Sequence, residues 1–451
     1  MSLSGLLNIA RSSLLAQSGA LSVTSKNVAN ATTPGYTRRV ASLDPQAGGG
    51  VQYLGETRVF DRFAYAHSVE QRGKKGSADA RASALARIEA IVAPPRQTVA
   101  EKATSLMTAF VTLTAYPTDP AIQADVLARS TELASSVSNT ALQLNKTSNE
   151  LLERARGTTA EVNERLERVA ELNGKIASAE AQGNDAGELR DRRDQSIREI
   201  GERLGVRPVE DPQGRITLFG AGAALVEGSK ASPLSLDLDA AGAMRFTVQG
   251  ATTLDVTSRV DSGQLGGLRE ARDVDLARVR GNLDAYAFDV ANTINAVHAS
   301  GFGKDGVTGR TLFTPPASVA GAAASMVLDP SMVDRPDRIA TAGSAAELPG
   351  GNSAAVRLAE LADAAAFGGA TLAGRFATLA SDLGMRKASA ESEGSLREDT
   401  LALAEAMSEG ASGVSLDEEM IDMTRYQRAF EASSRVLRTA DELLEGLMRD
   451  L

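Results

Sequence analysis

From Pro120 to Ala181 the chain runs 62 residues with no further proline and only two glycines, Gly157 and Gly174. Asp119 ahead of Pro120 pairs a cap with a residue already fixed at helical φ, so a helix is expected to start there. At about 1.5 Å per residue such a helix is a rod of roughly 93 Å. A rod of that length holds in water only if neighbours cover one side of it throughout. Gln182-Gly-Asn-Asp-Ala-Gly187 reads as a hairpin, and Glu188 to Leu204 as the return helix. Composition points the same way. Aromatics are 4% with no Trp, while Ala, Leu, Glu and Arg dominate, which favours helices over pleated sheet.

The remaining chain is arranged around this rod. Residues 3–28 read as a helix, stopped at Thr33-Pro34-Gly35-Tyr36. Residues 37–65 read as short extended pieces with Gly48-Gly49-Gly50 as a turn, and helical pattern resumes near Ser77, broken at Pro94-Pro95. Between Val206 and Val260 the period changes to two. The alternating sets are Ile216 and Leu218; Leu234, Leu236 and Leu238; Met244, Phe246 and Val248; Leu254 and Val256. Punctuated by Asp211-Pro-Gln-Gly214 and Ala240-Ala-Gly242, they predict a small antiparallel β unit. Helix returns over 266–299, residues 301–350 are rich in Gly, Pro and Ala, and the chain is helical from about Asn352 with breaks at 368–369 and 410–413.

The fold class expected is therefore mainly α, with N- and C-terminal helices forming a coiled coil, a discontinuous long-helix core and an inserted β lobe. In residue numbers, 1–70 with 413–451 form the terminal unit with its extended segment, and 71–205 with 263–300 and 351–412 the helical core. Residues 206–262 are the insert and 301–350 an irregular segment on the core. An insert whose ends meet beside neighbouring helices is expected to be dispensable for folding.

Both ends carry coiled-coil spacing. At the N-terminus the seam is Leu3, Leu7, Ala10, Leu14, Gln17, Leu21, Thr24 and Val28. At the C-terminus Ser415 and Glu418 form a capping-box pattern. The seam that follows is Leu416, Met420, Met423, Gln427, Phe430, Ser434, Leu437, Asp441, Leu444, Met448 and Leu451. A second seam lies beside it: Ala429, Ser433, Val436, Ala440, Leu443 and Leu447. Two adjacent seams make a face too wide for one partner helix. Periodicity alone leaves two readings, a deeply buried core helix or a helix used in polymer contacts. The polar positions Gln427, Ser434 and Asp441 favour the second, because polar residues in a seam cost stability and fix register and partner.

Ser25-Lys-Asn-Val-Ala-Asn-Ala-Thr-Thr-Pro-Gly-Tyr36 resembles the N-terminal signature of flagellar rod, hook and hook-associated proteins, with Asn27, Asn30, Thr33, Pro34, Gly35 and Tyr36 all present. The stretch from Leu416 to Leu447, with Gln427-Arg-Ala-Phe430 and Thr439-Ala-Asp-Glu442, resembles the matching C-terminal signature. The long helix and Gly263-Gln-Leu-Gly-Gly-Leu-Arg-Glu-Ala-Arg-Asp273 are similar to the FlgK family of hook–filament junction proteins. That resemblance implies a structural subunit, assembled through its terminal helices into a ring with copies of itself. Its implied partners are the hook protein, a second junction protein and an export chaperone on the C-terminal helix. It implies an extracellular place on the flagellum, reached by type III export without a cleaved signal peptide. A hook or distal-rod protein is the alternative within the superfamily, and a cytoplasmic coiled-coil scaffold the alternative outside it.

No enzyme chemistry is legible. The chain has no Cys and only His67 and His298, so no transition-metal spacing exists, and His298 is expected to be a partly exposed helix residue. Gly220-Ala-Gly222-Ala-Ala-Leu225 lacks the third glycine of a dinucleotide loop, and Gly303-Lys304 lacks the rest of a phosphate loop. No catalytic residue, cofactor or metal site is therefore expected. The charge of −10 is spread without a basic stripe, which argues against nucleic acid. The uncharged stretch 311–328 holds Pro315 and Pro316 and is no membrane span.

Overall fold

In a computed structural model, which describes residues 3–449 apart from 48, 184, 185, 212, 213 and 251, the rod is present as α4 (Pro120–Ala181). The Asp119 carboxylate accepts from the Ala121 N–H at 2.8 Å, capping the first turn. Its buried row runs Val126, Ser130, Leu133, Val137, Leu144, Leu151, Ala155, Val162, Leu166, Val169, Asn173 and Ile176, in steps of three and four or their sums. That spacing keeps one side of the rod under α3 (Val99–Ala115) and α5 (Gly187–Arg203) along much of its length. The cover that so long a helix requires is thus supplied within the chain. The middle of the hairpin turn, residues 184 and 185, lies outside the described residues.

The helix α2 (Arg62–Val92) starts earlier than the sequence pattern suggests. Asp61 caps it, accepting from the N–H groups of Phe63 at 2.8 Å and Ala64 at 3.1 Å. Gly73 and Gly76, inside this helix, answer to close packing. A Cβ on Gly76 would sit 2.2 Å from the Glu202 carbonyl oxygen, and one on Gly73 3.1 Å from that of Gly201. Here glycine lets the end of α5 press against a continuous helix.

The insert forms two antiparallel sheets instead of one unit. The first orders β3 (Val206–Glu210), β4 (Ile216–Gly220), β5 (Ala223–Glu227) and β6 (Lys230–Ala231); residues 212 and 213 of its first turn are outside the described set. The second orders β7 (Leu234–Leu238), β8 (Met244–Val248) and β9 (Leu254–Asp255), with Leu236 opposite Phe246. Asparagines on α4 act as substitute strand partners. Asn163 exchanges two 2.8 Å bonds with the Leu234 backbone, and Asn173 donates to the carbonyls of Ile216 and Gly228 at 2.9 Å. Leu218, Leu225, Met244, Phe246 and Val248 are buried in the same cluster as the helices, so the insert is part of the core and not an appendage.

After the insert come α6 (Gly263–Arg269), a π-helical stretch (Glu270–Leu276) and α7 (Ala277–Ala299). The π stretch ties several elements together. Arg272 donates to the Ser148 carbonyl of α4 at 3.2 Å and the Gly242 carbonyl at 3.0 Å, while Asp273 accepts from Met244 N–H at 2.9 Å. Buried Asp275 receives Arg81 of α2 at 2.8 and 3.1 Å.

Residues 301–350 form turns and isolated bridges, such as Phe302 with Ala342 and Phe313 with Leu328, organised by two side chains of α7. Asn295 donates to the Phe313 carbonyl at 2.8 Å and accepts from the N–H groups of Leu312 and Phe313 at 2.9 Å. His298 is buried, contrary to its expected partial exposure. Its Nε2 accepts from Ala340 N–H at 3.2 Å, so Nδ1 carries the proton and donates to the Arg310 carbonyl at 2.8 Å. Burial holds its pKa below the usual imidazole value.

The last helices are α8 (Ser353–Glu360), α9 (Leu372–Ser412) and α10 (Leu416–Arg449). The helix α9 runs through Gly410, and the chain breaks only at 413–415. The apolar core extends from Tyr65 to Ala390 in sequence. Nothing described from the first 59 or the last 61 residues enters it. The class is mainly α, with long terminal helices and small antiparallel sheets in the middle of the chain.

Candidate assembly interface

Outside the core, α1 (Leu3–Ala29) packs against α10, and the hairpin of β1 (Arg39–Pro45) and β2 (Val51–Arg58) packs on α1. The deepest positions of α1 are Ala10, Ala16, Ala20, Val23, Thr24 and Asn27. The predicted seam residues Leu3, Leu7, Leu14, Leu21 and Val28 are only half-buried. Small residues take the centre because backbone must approach closely there. A Cβ on Gly19 would meet the Tyr53 ring at 2.8 Å.

On α10 the two predicted seams divide. Met423, Ser434, Leu437 and Leu444 are half-buried on the side that carries buried Glu419 and Ala440. Leu416, Met420, Gln427, Phe430, Asp441 and Met448 are exposed. In the second seam Ala429 and Ser433 are half-buried, while Val436 and Leu443 are exposed. The Leu447 side chain and Leu451 lie outside the described residues. One helix thus covers one side of α10, and an apolar flank stays open.

The N-terminal motif closes on Asn27. Its amide donates to the Arg39 carbonyl at 2.8 Å and to the Glu419 carboxylate at 3.0 Å. Its oxygen accepts from the Tyr36 hydroxyl at 2.9 Å and from Arg39 N–H at 3.1 Å. Arg38 completes the clasp, donating from Nε to Glu419 at 2.7 Å and pairing with Glu418 at 2.8 Å. Asn30 donates to the Lys26 carbonyl at 2.9 Å, and Thr33 and Tyr36 continue the turn through N–H bonds to Asn30 and Thr33. Gly35 has φ +83°, which glycine adopts without strain. Thr33 and Pro34 are exposed at the tip. Burial raises the Tyr36 pKa, so its hydroxyl stays protonated and keeps donating.

The terminal unit meets the core through charge. Arg39 pairs with Glu56 at 2.7 Å and Asp191 at 3.3 Å, and Arg58 with Asp191 at 3.0 Å and Asp194 at 2.6 Å. Burial pushes the Glu56 carboxyl up, yet Arg39 and Lys26 more than offset this and its pKa is lowered. For Asp191 burial prevails over the arginines and the pKa is raised. Beside this joint the motif turn faces α4 and α5 across a cleft of about 810 Å³, lined by Asn30, Tyr36, Arg165, Asp191 and Gln195. Glu419, Arg38, Arg39, Arg58, Asp191 and Asp194 were not singled out from sequence. The usable signal was the basic pair Arg38-Arg39 after the motif and the acidic run Asp417-Glu418-Glu419.

Among the described residues no group of three or more His, Cys, Asp or Glu is placed to hold a metal ion. None of the described helices is long and apolar enough to cross a membrane.

Comparison with known proteins matches this architecture part by part. The family model of the flagellar hook-associated protein FlgK helical domain matches residues 85–313, just over half of the chain. A flagella basal body rod protein model matches residues 7–37, and the C-terminal model of flagellar basal body rod FlgEFG proteins matches 409–449. Flagellar hook-associated protein 1 of Salmonella typhimurium is 27% identical over 329 residues, which is 69% of this chain and 60% of that protein. The chain thus aligns with less than two thirds of the Salmonella protein's length. The Bacillus subtilis protein of the same name is 26% identical, over 99% of this chain and 98% of its own. The solved structure of the flagellar hook junction protein FlgK from Burkholderia pseudomallei gives a TM-score of 0.52 at 23% identity, covering 55% of this chain and 46% of that one. That is a likeness of fold. With the helical-domain match over 85–313 and the rod-type ends paired as α1 and α10, the chain belongs to the FlgK family of flagellar hook-associated proteins.

Proposed function

We propose that this chain is a structural subunit, not an enzyme, that joins hook to filament and assembles through its terminal helices. The observation that carries the reading is the α1–α10 pair: it stands outside the core, is clasped by Asn27 and Glu419, and leaves Leu416, Met420, Phe430 and Met448 uncovered. An apolar flank with no partner in its own chain fits a helix completed by neighbouring subunits. In this reading the 1–70 and 413–451 unit makes the ring with other copies, Leu3 to Val28 and the motif Asn27 to Tyr36 position α10, and the 71–205, 263–300 and 351–412 core with the 206–262 insert forms the outer body. Its neighbours are the hook protein on one side and a second junction protein on the other. It leaves the cell by flagellar export without a cleaved signal, with a chaperone on α10 until assembly, and is extracellular.

The rod-type matches at both ends favour a second reading, a hook or distal-rod subunit. Electron microscopy of a deletion strain separates the two. Hooks lacking filaments, with flagellin lost to the medium, are expected for a junction subunit; absent hooks would overturn that reading.

A further inference from the structure

The chain has no Cys and no Trp, so the thioether of Met is its most readily oxidised side chain. Of its ten methionines, Met1 lies outside the described residues, and the rest fall into two groups. Met107, Met244, Met326 and Met332 belong to the core, and none is more than 6% exposed. Met385 and Met407 lie on α9, and Met420, Met423 and Met448 on α10. All of these except half-buried Met423 are at least 58% exposed. Among the described residues, sulfur is thus sealed in the core and open to solvent only on the last two helices.

Met420 and Met448, 64% and 76% exposed, stand near the two ends of the flank of α10 that α1 leaves uncovered. A thioether there packs as a flexible, nearly aliphatic chain and suits an apolar contact. Its sulfoxide carries a strongly accepting oxygen, which an apolar neighbour would leave without a donor. Met423, on the side that faces α1, is shielded by that packing. Oxidation therefore reaches the open flank before it reaches the pairing of α1 with α10.

We propose that Met420 and Met448 are oxidation sites, converted by peroxide to sulfoxides in the unassembled chain, and that this modification blocks assembly. The sulfur lone pair attacks one peroxide oxygen, the O–O bond breaks and an S–O bond forms. The departing hydroxide takes the proton of the transferred hydroxyl and leaves as water. Sulfur is oxidised by two electrons and the peroxide is reduced by the same two. The proposal rests on the reading of the open flank of α10 as the assembly surface and names a regulation of it. Once neighbouring subunits cover the flank, these sulfurs are sealed as those of the core are, and the assembled chain resists the oxidant.

The test uses the purified full chain, hydrogen peroxide, and peptide mass spectrometry to read the oxidised positions. Met385, Met407, Met420 and Met448 should each gain one oxygen well before Met107, Met244, Met326 and Met332 do. Helical circular dichroism should not change, because the α1–α10 pair stays intact. Binding to hooks sheared from a strain lacking the native chain should fall by at least about tenfold. Treatment with the two epimer-specific methionine sulfoxide reductases and a dithiol should restore it. Each variant is compared with its own untreated sample. Peroxide should leave binding by Met420→Leu/Met448→Leu unchanged and should still weaken binding by Met385→Leu/Met407→Leu. Oxidised native chain that binds as well as untreated chain overturns the proposal while the functional reading stands. Sensitivity that survives in Met420→Leu/Met448→Leu overturns it too, as do core methionines that oxidise as fast as these two. Untreated chain that leaves the hooks bare refutes the functional reading, and the block on assembly with it.

Discussion

Removing the Asn27 side chain tests whether the two ends are held by a few polar groups. Asn27 is 1% exposed and makes four hydrogen bonds, one of them to the Glu419 carboxylate, itself 2% exposed. At about 1 kcal/mol net per bond, and more where a charge accepts, Asn27→Ala should destabilise the terminal unit by about 4 kcal/mol. Since every 1.4 kcal/mol is tenfold, local opening should rise by about a thousandfold. The residues involved share no apolar core with α4, so the loss should stay local. Hydrogen exchange on the full chain is the assay. Residues 3–29 and 416–449 should lose protection while 120–181 keep theirs. Glu419→Ala alone should cost less, because Arg38 is partly solvated. The double variant should fall short of the sum by about 2 kcal/mol, the coupling expected for a charge-assisted buried bond. A coupling below about 0.5 kcal/mol, within the usual scatter for independent sites, would refute the clasp. Loss of protection spread evenly into α4 would refute the separation of end and core.

On α10, Leu437→Glu should unpair α1 from α10 because its side chain is half-buried, lowering helical circular dichroism, whereas Phe430→Glu should leave the free chain folded and block incorporation into flagella. Excising 206–262 should collapse the helical domain and not merely shorten it, since Phe246, Leu218 and Met244 are core residues; unchanged circular dichroism in the excised chain would contradict this. His298 stays neutral in the fold while an unfolded imidazole protonates near pH 6.5, so stability is full above that value and falls by up to about 1.4 kcal/mol per pH unit as acid is added, until the lowered native pKa is reached. Urea midpoints between pH 7.5 and 5 should show this slope in the native chain and a flatter one in His298→Gln.

What periodicity and caps encode was legible. The rod α4 has its proline-capped start at Asp119 and ends at Ala181 because nothing within it breaks a 3.6-residue repeat. The terminal helices could be located for the same reason. Reading failed where a residue's local meaning is overruled by a distant neighbour. Helix was expected only from near Ser77, although α2 starts at Arg62, because the carbonyls of Gly201 and Glu202 that give Gly73 and Gly76 their place inside it lie over a hundred residues away in sequence. The β insert looked detachable because nothing local says that Asn163 and Asn173 stitch it to α4. His298 looked surface-bound because its two backbone partners belong to a segment with no period at all.

The clasp shows where that boundary lies. Asn27 belongs to a recognisable motif, yet the motif does not say what its amide is for. The answer is 392 residues away, at a glutamate that reads as one more acid in the first turn of α10. Acids there already favour helix by facing the positive end of the dipole, so Glu419 had a sufficient local explanation and no reason to be suspected of another. Burial is what distinguishes it from Asp417 and Glu418, and burial follows from α1 lying alongside, which no spacing within α10 encodes. A buried carboxylate with two charge-assisted or amide donors is costly unless every partner is present. The same arrangement therefore makes the pairing of the ends specific: a helix with the right apolar spacing but no asparagine at position 27 and no arginine at 38 would leave Glu419 uncompensated, and would be rejected as a partner.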